Sequence, residues 1–115
     1  MPGKIANIVF DCHDPAELAA FWGIVLGGQR RIRSELWATV RDPRPGGLLL
    51  AFQRVPEDKQ AKNRLHPDVW SDDIEGDVER LVAVGATRAG DVTVDATGAF
   101  QVLLDPEGNE FCLVR

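Results

Sequence analysis

Four candidate strands of this 115-residue chain carry side chains that could bind a metal ion or a polar molecule. These side chains alternate with apolar residues, and the period of two in a β-strand places them on one face of a sheet. The set comprises an imidazole, a thiol, carboxylates, amides and an indole: His66, Cys112, Asp11, Asp68, Glu110, Asn7, Gln53 and Trp70. Imidazole, thiolate and carboxylate groups are common ligands of divalent metals, and an indole stacks on aromatic or cationic molecules. An open sheet facing water would show the same alternation, so the pattern alone leaves both interpretations open.

An internal repeat favours the binding interpretation. A shift of 59 residues aligns two halves of the chain, and the aligned pairs are Asn7 with His66, Asp14 with Asp73, Phe52 with Phe111, and Gln53 with Cys112. Polar residues at equivalent strand positions of a repeat indicate a pocket on a pseudo-twofold axis. The repeat therefore predicts a site for a small molecule or a metal, without naming the ligand.

Each half must contain a helix that covers the apolar face of its strands. In the first half, Asp14 is a typical N-cap, Pro15 fits the first helical position, and Gly27 stops the helix. In the second half, Asp73 is the N-cap and Gly85 ends the helix. We expect strands over residues 4–12, 29–33, 36–41, 48–55, 66–71, 87–90, 100–104 and 110–114. Each half is thus predicted to fold as strand, helix and three strands.

The fold class that follows is α+β, with two βαβββ modules forming a cup-shaped mixed sheet. We predict a single domain over residues 1–115, with modules at about 1–56 and 65–115. The charged, strand-poor segment 57–64 is the expected connector between them. Neither module can bury both faces of its strands alone, so we expect the two to pack together.

Composition excludes several classes of function. The net charge of −5 and the pI of about 4.9 argue against nucleic acid, which requires a basic face. No segment approaches the roughly 20 apolar residues of a membrane span, and the N-terminus lacks the apolar region of a signal peptide. We therefore expect a cytoplasmic protein without a membrane partner. Cys12 and Cys112 are predicted on opposite faces, which makes a disulfide between them improbable.

Three motifs resemble the vicinal oxygen chelate superfamily, also called the glyoxalase, bleomycin-resistance and dioxygenase superfamily. They lie at residues 14–28 (DPAELAAFWGIVLGG), 66–86 (HPDVWSDDIEGDVERLVAVGA) and 105–113 (DPEGNEFCL), and the last is the most specific. The resemblance covers nearly the whole chain and is closest to small glyoxalase-like proteins. It implies the two-module fold, a small-molecule ligand and a homodimer.

The resemblance also implies where a metal would bind. In the superfamily, one side chain from the first and last strand of each module points into the cup and binds a divalent ion. By position these become Asn7, Gln53, His66 and Cys112. Two carboxylates expected by the family pattern are missing, because Gln53 and Cys112 stand in their places. Glu110, two residues before Cys112 on the same face, could supply a carboxylate.

Two metal sites are consistent with these residues. His66 and Glu110 with Gln53 as a neutral oxygen ligand would suit magnesium, manganese, nickel or zinc, whereas His66 with Cys112 would favour zinc. In a lyase-type or isomerase-type enzyme, the ion would polarise oxygens of a small substrate, and Glu110 would move the proton.

The alternative is a metal-free protein that binds or sequesters a small molecule, as drug-resistance members of the superfamily do. Trp70 would stack on the ligand, and the acidic residues would attract a cation. The residues predicted to line such a site are Trp70, Asp68, Asp11, Asn7 and Cys112.

Overall fold

The computed structural model describes residues 2–115, and within that range the chain forms two helices and nine strands. The elements are β1 (Ile8–Cys12), α1 (Pro15–Leu26), β2 (Arg30–Ser34), β3 (Trp37–Arg41), β4 (Leu49–Arg54), β5 (Asp68–Trp70), α2 (Ile74–Val82), β6 (Thr87–Arg88), β7 (Thr93–Asp95), β8 (Gly98–Leu104) and β9 (Glu110–Val114). The contacts divide the chain between Asp58 and Lys59 into an N-terminal unit and a C-terminal unit. The strands form two mixed sheets, one in each unit, which confirms the predicted α+β class.

The N-terminal unit is a four-stranded sheet with the order β1-β4-β3-β2. The first strand and the fourth pair in parallel, with Phe10 opposite Phe52, whereas the other pairs are antiparallel. The predicted strand over residues 4–12 begins later, at Ile8, because β4 starts at Leu49 and offers no partner to the residues before Asn7.

Helix α1 covers the apolar face of this sheet. The carboxylate of Asp14 accepts a hydrogen bond from the Glu17 backbone N–H (3.2 Å), as expected for an N-cap. Gly27 ends the helix with φ of 69°, a left-handed conformation that glycine adopts without steric cost. Trp22 is fully buried, and its ring lies 5.3 Å from that of Phe10. The predicted helix ends and the predicted apolar face of β1 are therefore confirmed.

The C-terminal unit repeats this plan with one strand more. Its sheet has the order β5-β9-β8-β6, and β7 also pairs with β8. The first and last strands are again parallel, with Asp68 opposite Cys112. Helix α2 is capped by Asp73, whose carboxylate accepts from the Gly76 backbone N–H (3.1 Å). Its apolar stripe of Ile74, Val78 and Leu81 is buried, as the spacing predicts.

The turn between β8 and β9 is held by a buried carboxylate. Asp105 is 3% exposed and accepts hydrogen bonds from the backbone N–H groups of Glu107 (2.9 Å) and Asn109 (3.0 Å) and from the Asn109 side chain. The Asn109 side-chain oxygen in turn accepts from the Asn63 amide (2.9 Å). This network fixes the start of β9, the strand that carries Glu110 and Cys112.

We predict that Asp105→Ala lowers the free energy of unfolding by about 2–4 kcal/mol, because it leaves several buried N–H groups without their charged acceptor. Urea denaturation measures the change. Asp95→Ala is the matched control, since Asp95 holds a similar turn through Thr97 but is exposed. Equal losses in the two variants would contradict the importance of the buried turn.

Candidate functional site

Parallel pairing brings three predicted site residues together in the C-terminal unit. Asp68 lies directly opposite Cys112 in the β5–β9 register, so both side chains stand on the same face of the sheet. His66 lies two residues before Asp68. The Pro67 carbonyl accepts a hydrogen bond from the Cys112 backbone N–H (2.9 Å), which holds this segment against β9.

The three side chains form a compact cluster of potential metal ligands. His66 Nε2 is 3.2 Å from Asp68 Oδ1, and the ligand atoms of His66, Asp68 and Cys112 all lie within 4.8 Å of one another. The side chains of His66 and Asp68 are 43% and 55% exposed. A contact between two exposed polar side chains contributes little to folding, so the fold does not depend on this pair and it remains accessible to a ligand.

The surroundings of Cys112 disfavour the thiolate form of its side chain. Its burial is the largest cause, and the negative charge of Asp68 and a hydrogen bond to that carboxylate act in the same direction, so the pKa of Cys112 is raised above its ordinary value. A thiol with a raised pKa is a poor nucleophile at neutral pH. The cluster is therefore not arranged to activate Cys112 for covalent catalysis.

The donors in the cluster fit a divalent transition metal. Nitrogen, oxygen and sulfur ligands together suit zinc, and catalytic zinc sites keep three protein ligands with one open position. Metal–ligand lengths of about 2.0–2.3 Å in a tetrahedron imply ligand atoms about 3.3–3.8 Å apart, a spacing compatible with the cluster. The cluster contains His66 and Cys112, two of the ligands that the resemblance implies. Asp68 supplies the carboxylate that we expected from Glu110.

Glu110 has other partners. Its carboxylate accepts hydrogen bonds from Lys59 Nζ (2.9 Å) and from the Asn63 backbone N–H (2.9 Å). Burial alone would raise the pKa of Glu110, but these two hydrogen bonds and the charge of Lys59 hold it below its usual value. Glu110 thus anchors the segment 59–63 to β9. The metal-binding and catalytic roles predicted for it stay predictions.

The cluster lies beside an apolar surface. Trp70 is two residues beyond Asp68 on the same face, and the residue is 76% exposed. Register places Val114 opposite Trp70, and Phe100 opposite Val114, on this face. An exposed indole next to potential metal ligands could hold the apolar part of a small molecule.

The remaining predicted residues lie in the N-terminal unit. Asp11 and Gln53 are paired neighbours on β1 and β4, both exposed, and Asn7 lines a groove of about 600 Å³ on the same face of the sheet. The proposed ligand roles of these three residues also stay predictions.

The groove contains arginines that neither the repeat nor the family resemblance indicates. It is lined by three arginines and by apolar and polar side chains that form its base: Arg31, Arg33, Arg41, Trp37, Thr39, Leu49 and Asn7, among others. The alternation of Arg31 with Arg33 was a usable signal. The sequence does not reveal the bulge between Ile32 and Ser34, which shifts the register of β2 against β3.

Comparison with known proteins gives the family. Residues 7–114 match the glyoxalase-like domain. No curated protein matches the sequence. Among the residues described, no helix is long and apolar enough to cross a membrane.

Solved structures share the fold. A glyoxalase/bleomycin resistance protein/dioxygenase family enzyme from Burkholderia phytofirmans PsJN is 21% identical, with a TM-score of 0.80, and the alignment covers 97% of this chain and 98% of that one. A glyoxalase-related enzyme from Fulvimarina pelagi is 18% identical, with a TM-score of 0.75 and coverage of 96% and 86%. A mutant of the fosfomycin resistance protein FosX from Listeria monocytogenes, in complex with Mn(II) and 1S,2S-dihydroxypropylphosphonic acid, is 16% identical, with a TM-score of 0.76 and coverage of 99% and 90%.

Since the family match spans nearly the whole chain, the chain belongs to the glyoxalase-like domain family, and the solved structures share its fold.

Proposed function

We propose that this protein binds a small molecule next to a divalent metal ion, held by His66, Asp68 and Cys112, and that the metal is zinc. The observation that carries the proposal is the convergence of a nitrogen, an oxygen and a sulfur donor within 4.8 Å on one sheet face. The Mn(II) complex of FosX supports a metal in this fold. The sulfur donor favours zinc over manganese, which prefers oxygen ligands.

The reaction class we propose is metal-assisted chemistry of the lyase or isomerase type. A bound divalent ion supplies a Lewis acid that polarises an oxygen of the substrate. His66 and Asp68 leave the cluster open to solvent on one side, and Trp70 offers an apolar surface for the body of the substrate. The Glu110 carboxylate accepts two hydrogen bonds, and its pKa is lowered, which makes it a weak base. We therefore assign Glu110 the positioning of the segment around Asn63.

A metal-free binding protein is the second candidate, and the exposure of Trp70 favours it. In that case the indole and the apolar face of the C-terminal sheet would hold an aromatic ligand, and His66 with Asp68 would contact its polar group. The homodimer, the single domain and the cytoplasmic location remain parts of the proposal.

Calorimetric titration of untagged protein tests the metal. We expect wild type to bind one zinc ion, and His66→Ala and Cys112→Ser each to weaken binding by at least about tenfold, because a three-ligand site loses one donor. Manganese should bind more weakly than zinc.

His13→Ala is the matched control for the zinc titration. His13 forms a similar exposed pair with Asp58 (3.1 Å). Among residues 2–115, however, this pair does not belong to a group of three potential metal ligands. Zinc binding should therefore be unchanged in this variant. Absence of saturable binding by wild type, or an unchanged affinity in His66→Ala, would remove the metal and leave the second candidate.

The raised pKa of Cys112 gives a separate prediction for the metal-free protein. In a Cys12→Ser background, iodoacetamide should alkylate Cys112 slowly at neutral pH, and the rate should increase as the pH rises above the ordinary thiol pKa. Asp68→Asn should accelerate alkylation at pH 8 severalfold, because removing the negative charge lowers the pKa of the thiol. Mass spectrometry measures the rates. Identical rates with and without the Asp68 carboxylate would show that it does not control the thiol.

A further inference from the structure

The groove of the N-terminal unit carries a concentration of positive charge. Arg31 lies on β2 opposite Thr39 of β3, and Arg33 follows at the bulge, where two residues of β2 face one of β3. Arg41 lies on β3 opposite Leu49, at the other end of the groove. No aspartate or glutamate is among the residues described as lining it.

Two of the three guanidinium groups are available to a ligand. Within residues 2–115, Arg31 and Arg33 make no side-chain hydrogen bond or ion pair, whereas Arg41 donates to the Gly47 carbonyl (3.2 Å). By contrast, Arg30 faces the other side of β2 and donates to the Ala16 carbonyl (2.9 Å). Arg31 and Arg33 therefore are not needed to hold the fold together.

The charge of the groove differs from that of the whole chain. Residues 1–58 contain seven basic and seven acidic side chains, and residues 59–115 contain six and eleven, so the excess negative charge belongs to the C-terminal unit. Since no carboxylate lines the groove, an anion bound among the three arginines would reduce the repulsion between their like charges. Guanidinium groups bind planar or tetrahedral oxyanions through paired hydrogen bonds.

The base of the groove indicates the rest of the ligand. Trp37 is half-buried and Leu49 is half-buried, which gives an apolar and aromatic base, and the nearly buried Thr39 offers a hydroxyl. The volume of about 600 Å³ is that of a site for a small organic molecule. We propose that this groove binds a small organic oxyanion, a carboxylate or a phosphoryl compound, with an apolar or aromatic body.

This site shares no residue with the proposed metal cluster, so the two proposals can fail separately. Isothermal calorimetry with phenylphosphonate and benzoate as probes tests the groove and distinguishes the two oxyanions. We expect saturable binding of at least one probe, with dissociation constants at or below about 1 mM at low salt, and weaker binding as salt is added. Benzamide, the uncharged analogue, should not bind.

Variants identify the groove as the site. Arg31→Gln and Arg33→Gln should each weaken binding of the better probe by about tenfold, the loss expected for a charged hydrogen bond. Arg30→Gln removes the same charge from the opposite face of the same strand and should change the affinity by less than about twofold. Thermal melting of each variant verifies that it is folded.

Three results would overturn the proposal. They are the absence of saturable binding of both oxyanions, binding of benzamide as tightly as benzoate, and equal losses in Arg30→Gln and Arg31→Gln. A zinc titration of Arg31→Gln should match that of wild type, which separates this proposal from the metal.

Discussion

In each unit, the first strand pairs in parallel with the last, and the arrangement of the candidate metal cluster depends on this pairing. Parallel pairing places side chains from distant parts of the chain next to one another on the same face of the sheet. It sets Asp11 beside Gln53 in one unit and Asp68 beside Cys112 in the other. A slip of one residue in any of these strands would turn the polar side chains of that strand toward the helix. The packing of Phe10 and Phe111 on the helix side therefore fixes the polar face as well as the core.

Local signals were sufficient to predict the helices and the faces of the strands. Asp14 and Asp73 cap the helices, Gly27 ends the first, and strand alternation places Cys112 on the polar face of its strand. These features depend on residues close in the sequence, where propensity and capping act. The strand β7 was missed, because its sequence lies among glycines and polar residues and it forms only through pairing with β8.

The composition of the candidate metal cluster could not be predicted from the repeat alone. Under the 59-residue shift, Asp11 corresponds to Trp70, which would place Trp70 beside Cys112. The parallel register differs between the units by two residues, so Asp68 takes that place. Because this difference is two residues, every side chain stays on its predicted face, but its neighbour on the adjacent strand changes. The partners of Glu110 depend on the segment from Lys59 to Asn63, whose position no periodicity indicates.

The two units differ in chemistry although they share a plan. The face of the C-terminal sheet carries an imidazole, a carboxylate and a thiol beside an exposed indole, whereas the face of the N-terminal sheet carries arginines above a tryptophan and a threonine. In the sequence, Asp11, Asp68 and Glu110 suit either a cation or solvent. The arginines of the groove are not indicated by the repeat, and the bulge in β2 that sets their register becomes visible only in the structure. A repeated fold thus presents two surfaces of different charge.

X-ray absorption at the zinc edge tests the central claim, the ligation of a metal by His66, Asp68 and Cys112, most directly. We expect one sulfur at about 2.3 Å and nitrogen or oxygen ligands at about 2.0–2.2 Å from zinc in protein loaded with one equivalent. The sulfur contribution should disappear in Cys112→Ser and persist in Cys12→Ser. A spectrum with nitrogen and oxygen ligands only in wild type would contradict the account, because it would show that zinc binds elsewhere.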